Sequence, residues 1–91
     1  VVNRENMTKV NVEIFGNTYT LKGNASEEHI IEVARLVDEK MRILAAKNPS
    51  LDMTKTAVLT AVNLADEYYK LKQEYDDLVK LIEAETGSQS K

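Results

Sequence analysis

From Lys9 to Ile14 polar and apolar residues alternate, with Val10, Val12 and Ile14 on one face and Lys9, Asn11 and Glu13 on the other. A period of two is that of a half-buried strand. Gly16-Asn17 then supplies a two-residue turn in which glycine takes the positive φ of a type II′ hairpin. This turn predicts Phe15 opposite Thr18, Ile14 opposite Tyr19 and Val12 opposite Leu21. In that register Val10, Val12, Ile14, Tyr19 and Leu21 share a face, and Thr18, Thr20 and Lys22 join Asn11 and Glu13 on the other. A slip by one residue would set apolar against polar throughout.

After Gly23-Asn24 the period changes to that of a helix. Ser26 is an N-cap, with Glu27 and Glu28 in the first turn where the helix dipole favours carboxylates. Ile30, Ala34, Val37, Met41 and Leu44 form one stripe of a helix reaching about Lys47, and Ile31, Val33 and Ile43 widen it. Arg42 and Lys47 suit the negative C-terminal end, and Asn48-Pro49-Ser50 breaks the helix. A second helix starts at Ser50 or Asp52 and meets no breaker before Gly87. Residues 52–85 would extend roughly 50 Å, far more than a small globule needs.

The stripe of this second helix runs Ala57, Ala61, Leu64, Tyr68, Leu71, Tyr75, Leu78 and Ile82. From Ala61 it is a heptad seam with an apolar residue at every a and d position. With Ala61 as a, Glu67 falls at g and Lys72 at the next e, the placement of an ion pair between parallel helices. Val79 at e and Leu81 at g are apolar, which suggests a wider stripe and more than two helices. Val58, Leu59, Val62 and Ala65 lie outside the seam and are expected to pack against the first helix and the hairpin.

The pattern therefore predicts an α+β chain. A head over residues 8–65 holds the hairpin, the first helix and the start of the second, and a coiled-coil stalk spans residues 66–85. Residues 86–91 form a polar, frayed tail. Residues 1–7 have no period and are expected to be disordered or vector-derived, with Met7 a candidate native start. A monomer would leave the seam from Tyr68 to Ile82 wet, and each Leu or Ile buried there contributes roughly 1.5–3 kcal/mol. An obligate oligomer follows.

Composition narrows the chemistry. With 91 residues, 43 % hydrophobic and 30 % charged, the chain is one small, folded, helix-rich domain. It has no long apolar run and no leader-like segment, so neither a membrane span nor a secretory signal is expected, and the compartment expected is the cytoplasm. Zero cysteines removes disulfides, thiolate metal sites and cysteine nucleophiles. Residues 1–51 are neutral and residues 52–91 carry the whole net charge of −3, so neither half offers the positive surplus that nucleic acid requires. His29, beside Glu28 and Glu32, reads as a solvated helix-start residue rather than a metal ligand. Asp76 and Asp77 are adjacent rather than facing carboxylates, and no glycine-rich phosphate loop exists. Tyr68 and Tyr75 belong to the seam, whereas Tyr69 lies off it as surface or as an anchor for a partner. Nothing pairs a nucleophile with a base, so no enzyme, catalytic residue, metal or cofactor is expected.

Three stretches resemble the ZapA family of bacterial cell-division proteins: Val10-Asn-Val-Glu-Ile-Phe-Gly-Asn-Thr-Tyr-Thr-Leu21, Val37-Asp-Glu-Lys-Met-Arg42 and Ala57-Val-Leu-Thr-Ala-Val-Asn-Leu-Ala-Asp-Glu-Tyr68. The resemblance covers about residues 8–85 and is to the short Gram-positive form. It implies a cytoplasmic protein at the midcell Z-ring, assembling as homodimers that pair into homotetramers. It also implies binding and bundling of filaments of the tubulin-like protein FtsZ, promoting Z-ring assembly. The contact surface it implies comprises Asn17 and Thr18 at the hairpin tip, Arg42, and Thr54 and Lys55 at the start of the second helix. Asn17 is equally a plain turn former. Two other readings share the pattern: a coiled-coil adaptor with another client, and a β-ribbon DNA-binding dimer. The second has little support, since the polar hairpin face carries only Lys9 and Lys22 against Glu13.

Overall fold

A computed structural model describes residues 7–89, with side-chain surroundings to residue 86. Expectations for residues 1–6, 90 and 91 lie outside the described residues. Strands β1 (Thr8–Ile14) and β2 (Asn17–Gly23) precede helix α1 (Glu27–Lys47) and the long helix α2 (Met53–Gln89), an α+β order. The chain divides into two units after Thr60.

In the first unit the two strands pair antiparallel, but the register differs from expectation. Ile14 faces Asn17, Val12 faces Tyr19 and Val10 faces Leu21, so the loop is Phe15-Gly16 rather than Gly16-Asn17. Both loop residues have positive φ, 51° at Phe15 and 82° at Gly16, the signature of a type I′ turn. Gly16 takes this conformation freely, whereas a phenylalanine there costs about 1 kcal/mol or more. Two polar contacts offset the cost: Phe15 N–H donates to Asp38 Oδ1 at 2.7 Å, and Asn17 Nδ2 donates to Phe15 O at 3.2 Å.

The apolar face survives the change because both registers give every side chain the same face. Successive residues of a strand also point their N–H and C=O groups to opposite edges. Moving the loop by one residue would therefore carry β2 to the other edge of β1, with the apolar set still facing α1. Alternation alone is blind to that choice. Tyr19 sits opposite Val12 as part of the apolar set, yet it keeps 39 % exposure at the rim instead of joining the core.

Helix α1 begins where Ser26 Oγ accepts from His29 N–H at 3.1 Å. Its expected stripe is the buried one: Ile30, Ala34 and Met41 are buried, and Val37 and Leu44 half-buried. Val10, Val12, Ile30 and Ala34 form the core, with Ile14, Leu21 and Ala25 packed against it. The widening residues Ile31, Val33 and Ile43 stay exposed. Asn48 closes the helix, its N–H and Nδ2 both donating to Leu44 O. Asp52 then caps α2, with Oδ1 accepting from Lys55 N–H at 2.8 Å.

The start of α2 corrects a second expectation. The residues it buries are Thr56 and Thr60, at 1 % and 2 % exposure, while Ala57, Val58, Leu59, Val62 and Ala65 are exposed. Each threonine hydroxyl donates to the carbonyl four residues back, Thr56 to Asp52 O and Thr60 to Thr56 O. With its hydroxyl satisfied inside the helix, a threonine buries only a small, largely apolar surface at little cost.

In the second unit, from Ala61 onward, α2 continues as a regular helix through Thr86 and Gly87 to Gln89. The expected frayed tail is thus helical over its first residues. A glycine costs a helix about 1 kcal/mol relative to alanine and need not end it.

Candidate functional site

The five residues assigned to a contact surface come from three elements of the first unit, and the structure ties several of them together. Asn17 opens β2, and its Nδ2 lies 3.6 Å from Met53 Sδ, joining the hairpin tip to the first residue of α2. Thr54 and Lys55 follow Met53, both exposed, with the Lys55 amide held by Asp52. Thr18 is exposed and faces Glu13 across the hairpin. Arg42 Nε donates to Asp38 Oδ1 and Oδ2 at 3.1 and 3.0 Å, and the same Oδ1 accepts from Phe15 N–H. Arg42 is thereby linked through Asp38 to the turn that carries Asn17.

Phe15, Asp38 and Met53 lie outside the expected contact surface, yet they hold its members in place. The Asp38–Arg42 spacing of four is a readable helical ion pair. The bond from Asp38 to a backbone amide 23 residues earlier leaves no mark in any local pattern.

Electrostatically the surface is polar and close to neutral. The Phe15 N–H, followed by the Arg42 guanidinium, holds the Asp38 carboxyl below the usual aspartate range. Arg42 is matched by Asp38, and Lys55 lies in the α2 turn that Asp52 caps. On the hairpin's exposed polar face Lys9 faces Lys22, Asn11 faces Thr20 and Glu13 faces Thr18. Two lysines beside a glutamate make no phosphate-binding stripe. A cleft of about 300 Å³ opens between β1 and α1; of the charged groups lining it, Arg35 and Asp38 already pair with Glu32 and Arg42, and Glu13 is exposed on the hairpin. Among the described residues no group of three or more His, Asp or Glu could hold a metal, and no helix is long and apolar enough to cross a membrane.

The second unit presents a different surface. Tyr68, Leu71, Tyr75, Leu78 and Ile82 are exposed along one side of α2, Ala61 is exposed and Leu64 half-buried. Leu81 flanks this row, exposed, and Val79 is half-buried. Around the helix from the seam, Lys70 pairs with Asp66 at 3.1 Å and Gln73 Nε2 donates to the Tyr69 hydroxyl at 3.1 Å. One side carries polar contacts internal to the helix, and the other carries apolar side chains in need of cover.

Comparison with known proteins gives a consistent result. Residues 10–90 match the family described as "Cell division protein ZapA". A cell division protein ZapA of a Geobacillus species (strain WCH70) is 50 % identical over 78 residues, covering 86 % of this chain and 90 % of that protein. That of Bacillus mycoides is 53 % identical over 73 residues, covering 80 % and 82 %. Among solved structures, a ZapA mutant dimer from Geobacillus stearothermophilus is 49 % identical, with a TM-score of 0.71 over 84 % of this chain and 88 % of that one.

Proposed function

The chain belongs to the ZapA family of cell division proteins, which are not enzymes, and from that premise we propose that it binds FtsZ filaments and bridges them. The head, residues 8–65, carries the filament contact through Asn17, Thr18, Arg42, Thr54 and Lys55. The stalk, residues 66–85, carries self-association through Ala61, Leu64, Tyr68, Leu71, Tyr75, Leu78 and Ile82. Self-association through this seam builds an oligomer, with chains forming dimers and dimers pairing as a tetramer. The protein works in the cytoplasm at midcell, where it stabilises the Z-ring.

The observation that carries this reading is the uncovered apolar row from Tyr68 to Ile82 on a chain whose head exposes a neutral polar surface. An oligomer with two or more copies of a weak head site binds a second filament at the effective concentration set by its own dimensions. No catalysis is required. The solved relative described as a dimer supports the first assembly step. A near-neutral surface favours a protein client over a phosphate backbone.

The test is co-pelleting with GTP-assembled FtsZ, comparing the intact chain with one truncated after Tyr68 and reading bundles by negative-stain microscopy. Bundling by the intact chain, with binding but no bundling by the truncation, is the expected result. Absence of co-pelleting across a range of salt overturns the partner assignment.

A further inference from the structure

We propose that Asp38 is the positioning residue of the head surface: its carboxylate, shared between Phe15 N–H and Arg42, holds the hairpin tip and the Arg42 side chain in one arrangement. The inference rests on the reading that this surface contacts filaments, but its structural half stands apart from that reading.

The argument begins at the turn. In a type I′ turn the amide of the first loop residue has no partner within the hairpin, so the half-buried Phe15 N–H is free to bond an acceptor outside it. Asp38 supplies it from α1 at 2.7 Å, the short distance of a bond to an ionised acceptor. Phe15 is also the residue for which left-handed φ is least natural, so the turn depends on outside support. Apolar burial cannot provide it, because the rival loop Gly16-Asn17 leaves the same side chains facing α1. The Asp38 contact discriminates between them. It favours the turn that places Asn17 at the first position of β2, where its Nδ2 reaches Phe15 O and Met53 Sδ.

The second arm of the carboxylate fixes Arg42. Both oxygens accept from Nε, which orients the guanidinium beside the turn while the side chain stays 60 % exposed. One carboxylate thus sets the place of Asn17 and of Arg42, although it need not touch a partner. An alanine at 38 leaves both contact residues in the sequence and removes the element that relates them.

The experiment uses the intact chain and the variants Asp38→Ala, Asp38→Glu and Asp38→Ala/Phe15→Asn. Asparagine accepts left-handed φ, and Asn-Gly is a favoured type I′ loop, so the double variant restores the turn without the carboxylate. Binding is read by co-pelleting with GTP-assembled FtsZ well below the thermal midpoint. Tip geometry is read by amide and Arg Nε chemical shifts, and oligomer mass by light scattering. Asp38→Ala is expected to weaken co-pelleting by roughly tenfold, the order of a lost hydrogen bond to a charged group, at unchanged mass. Its shift changes should be confined to residues 15–18, Met53 and Arg42. The double variant should recover the shifts of the turn and part of the binding, and Asp38→Glu should fall between Asp38→Ala and the parent.

Binding that falls only in proportion to the unfolded fraction, or tip shifts that do not move in Asp38→Ala, would overturn the inference. If the parent chain itself does not co-pellet, the filament reading fails, and the shifts alone still decide whether Asp38 positions the tip.

Discussion

Replacing Leu71 by alanine perturbs the seam at its middle without touching the head. Leu71 is 64 % exposed in the single chain, so about two-thirds of its side chain remains to be covered by a partner. Full burial of a leucine contributes about 1.5–3 kcal/mol, which leaves roughly 1–2 kcal/mol per chain available at this site. A two-fold interface contains the residue twice, so the dimer should lose about 2–4 kcal/mol, or roughly 30- to 700-fold in dissociation constant. Sedimentation equilibrium over a wide concentration range measures that constant, and far-UV circular dichroism checks that the helix persists. Leu71→Glu should push the mass further down, since a carboxylate at a d position must be desolvated. The control is Tyr69→Ala. Tyr69 is 61 % exposed, nearly as much as Leu71, but it lies on the side where Gln73 donates to its hydroxyl. If Tyr69→Ala weakens the dimer and Leu71→Ala does not, the seam is rotated about the helix and the heptad assignment is wrong.

Thr60→Leu should destabilise the head by about 1–3 kcal/mol in urea unfolding, because a buried small residue is being overpacked, whereas Thr60→Val keeps the shape and should cost about 0.5–1.5 kcal/mol, the hydroxyl's bond to Thr56 O. Gly16→Ala meets no atom within 4 Å, so its cost is conformational only, about 1 kcal/mol from φ of 82°, with the dimer constant unchanged by sedimentation. The folded pKa of Asp38 lies below its ordinary value of 3.8, so the folded state holds fewer protons than the unfolded state between the two values. Stability from this group is therefore complete above pH 3.8 and is lost as pH falls through the lower folded value. The Phe15 amide shift should titrate in that acidic window, and Asp38→Asn should abolish the titration.

Much of the fold is legible because burial leaves periodic marks. The stripe Ile30, Ala34, Val37, Met41, Leu44 repeats every three or four residues, and the same residues line the buried face of α1. The cap at Ser26 is legible because its chemistry is local. The hairpin loop is not, since registers centred on Phe15-Gly16 and on Gly16-Asn17 give every apolar residue the same face. What separates them is a bond from Phe15 to Asp38, on another element. Thr56 and Thr60 escape notice for a different reason. Hydropathy counts a threonine as polar, while a threonine bonded to its own helix carbonyl is buried at little cost. At the proposed contact surface, Asn17 bonds to Met53, and Asp38, the partner of Arg42, bonds to Phe15, contacts between distant parts of the chain that arise only once it has folded.

The distribution of apolar surface ties the proposed self-association of this chain to its stability. Among the described residues the buried hydrophobic ones are Val10, Val12, Ile30, Ala34 and Met41, a small set in which the alanine contributes little. Outside them, Ile31, Val33, Leu36 and Ile43 of α1 and Val58, Leu59 and Val62 of α2 remain exposed in the first unit, as does the row from Tyr68 to Ile82 in the second. A core of that size is marginal for a domain of this length, so in the proposed oligomer a large part of the free energy that holds the chain folded comes from surface covered by other copies. This couples the two proposed tasks. In the proposed reading a single head binds a filament, duplication turns binding into bridging, and the covering that duplicates the head also stabilises the fold. Loss of the seam should therefore remove bridging and weaken the head together, even though no seam residue from Tyr68 onward belongs to the head's core.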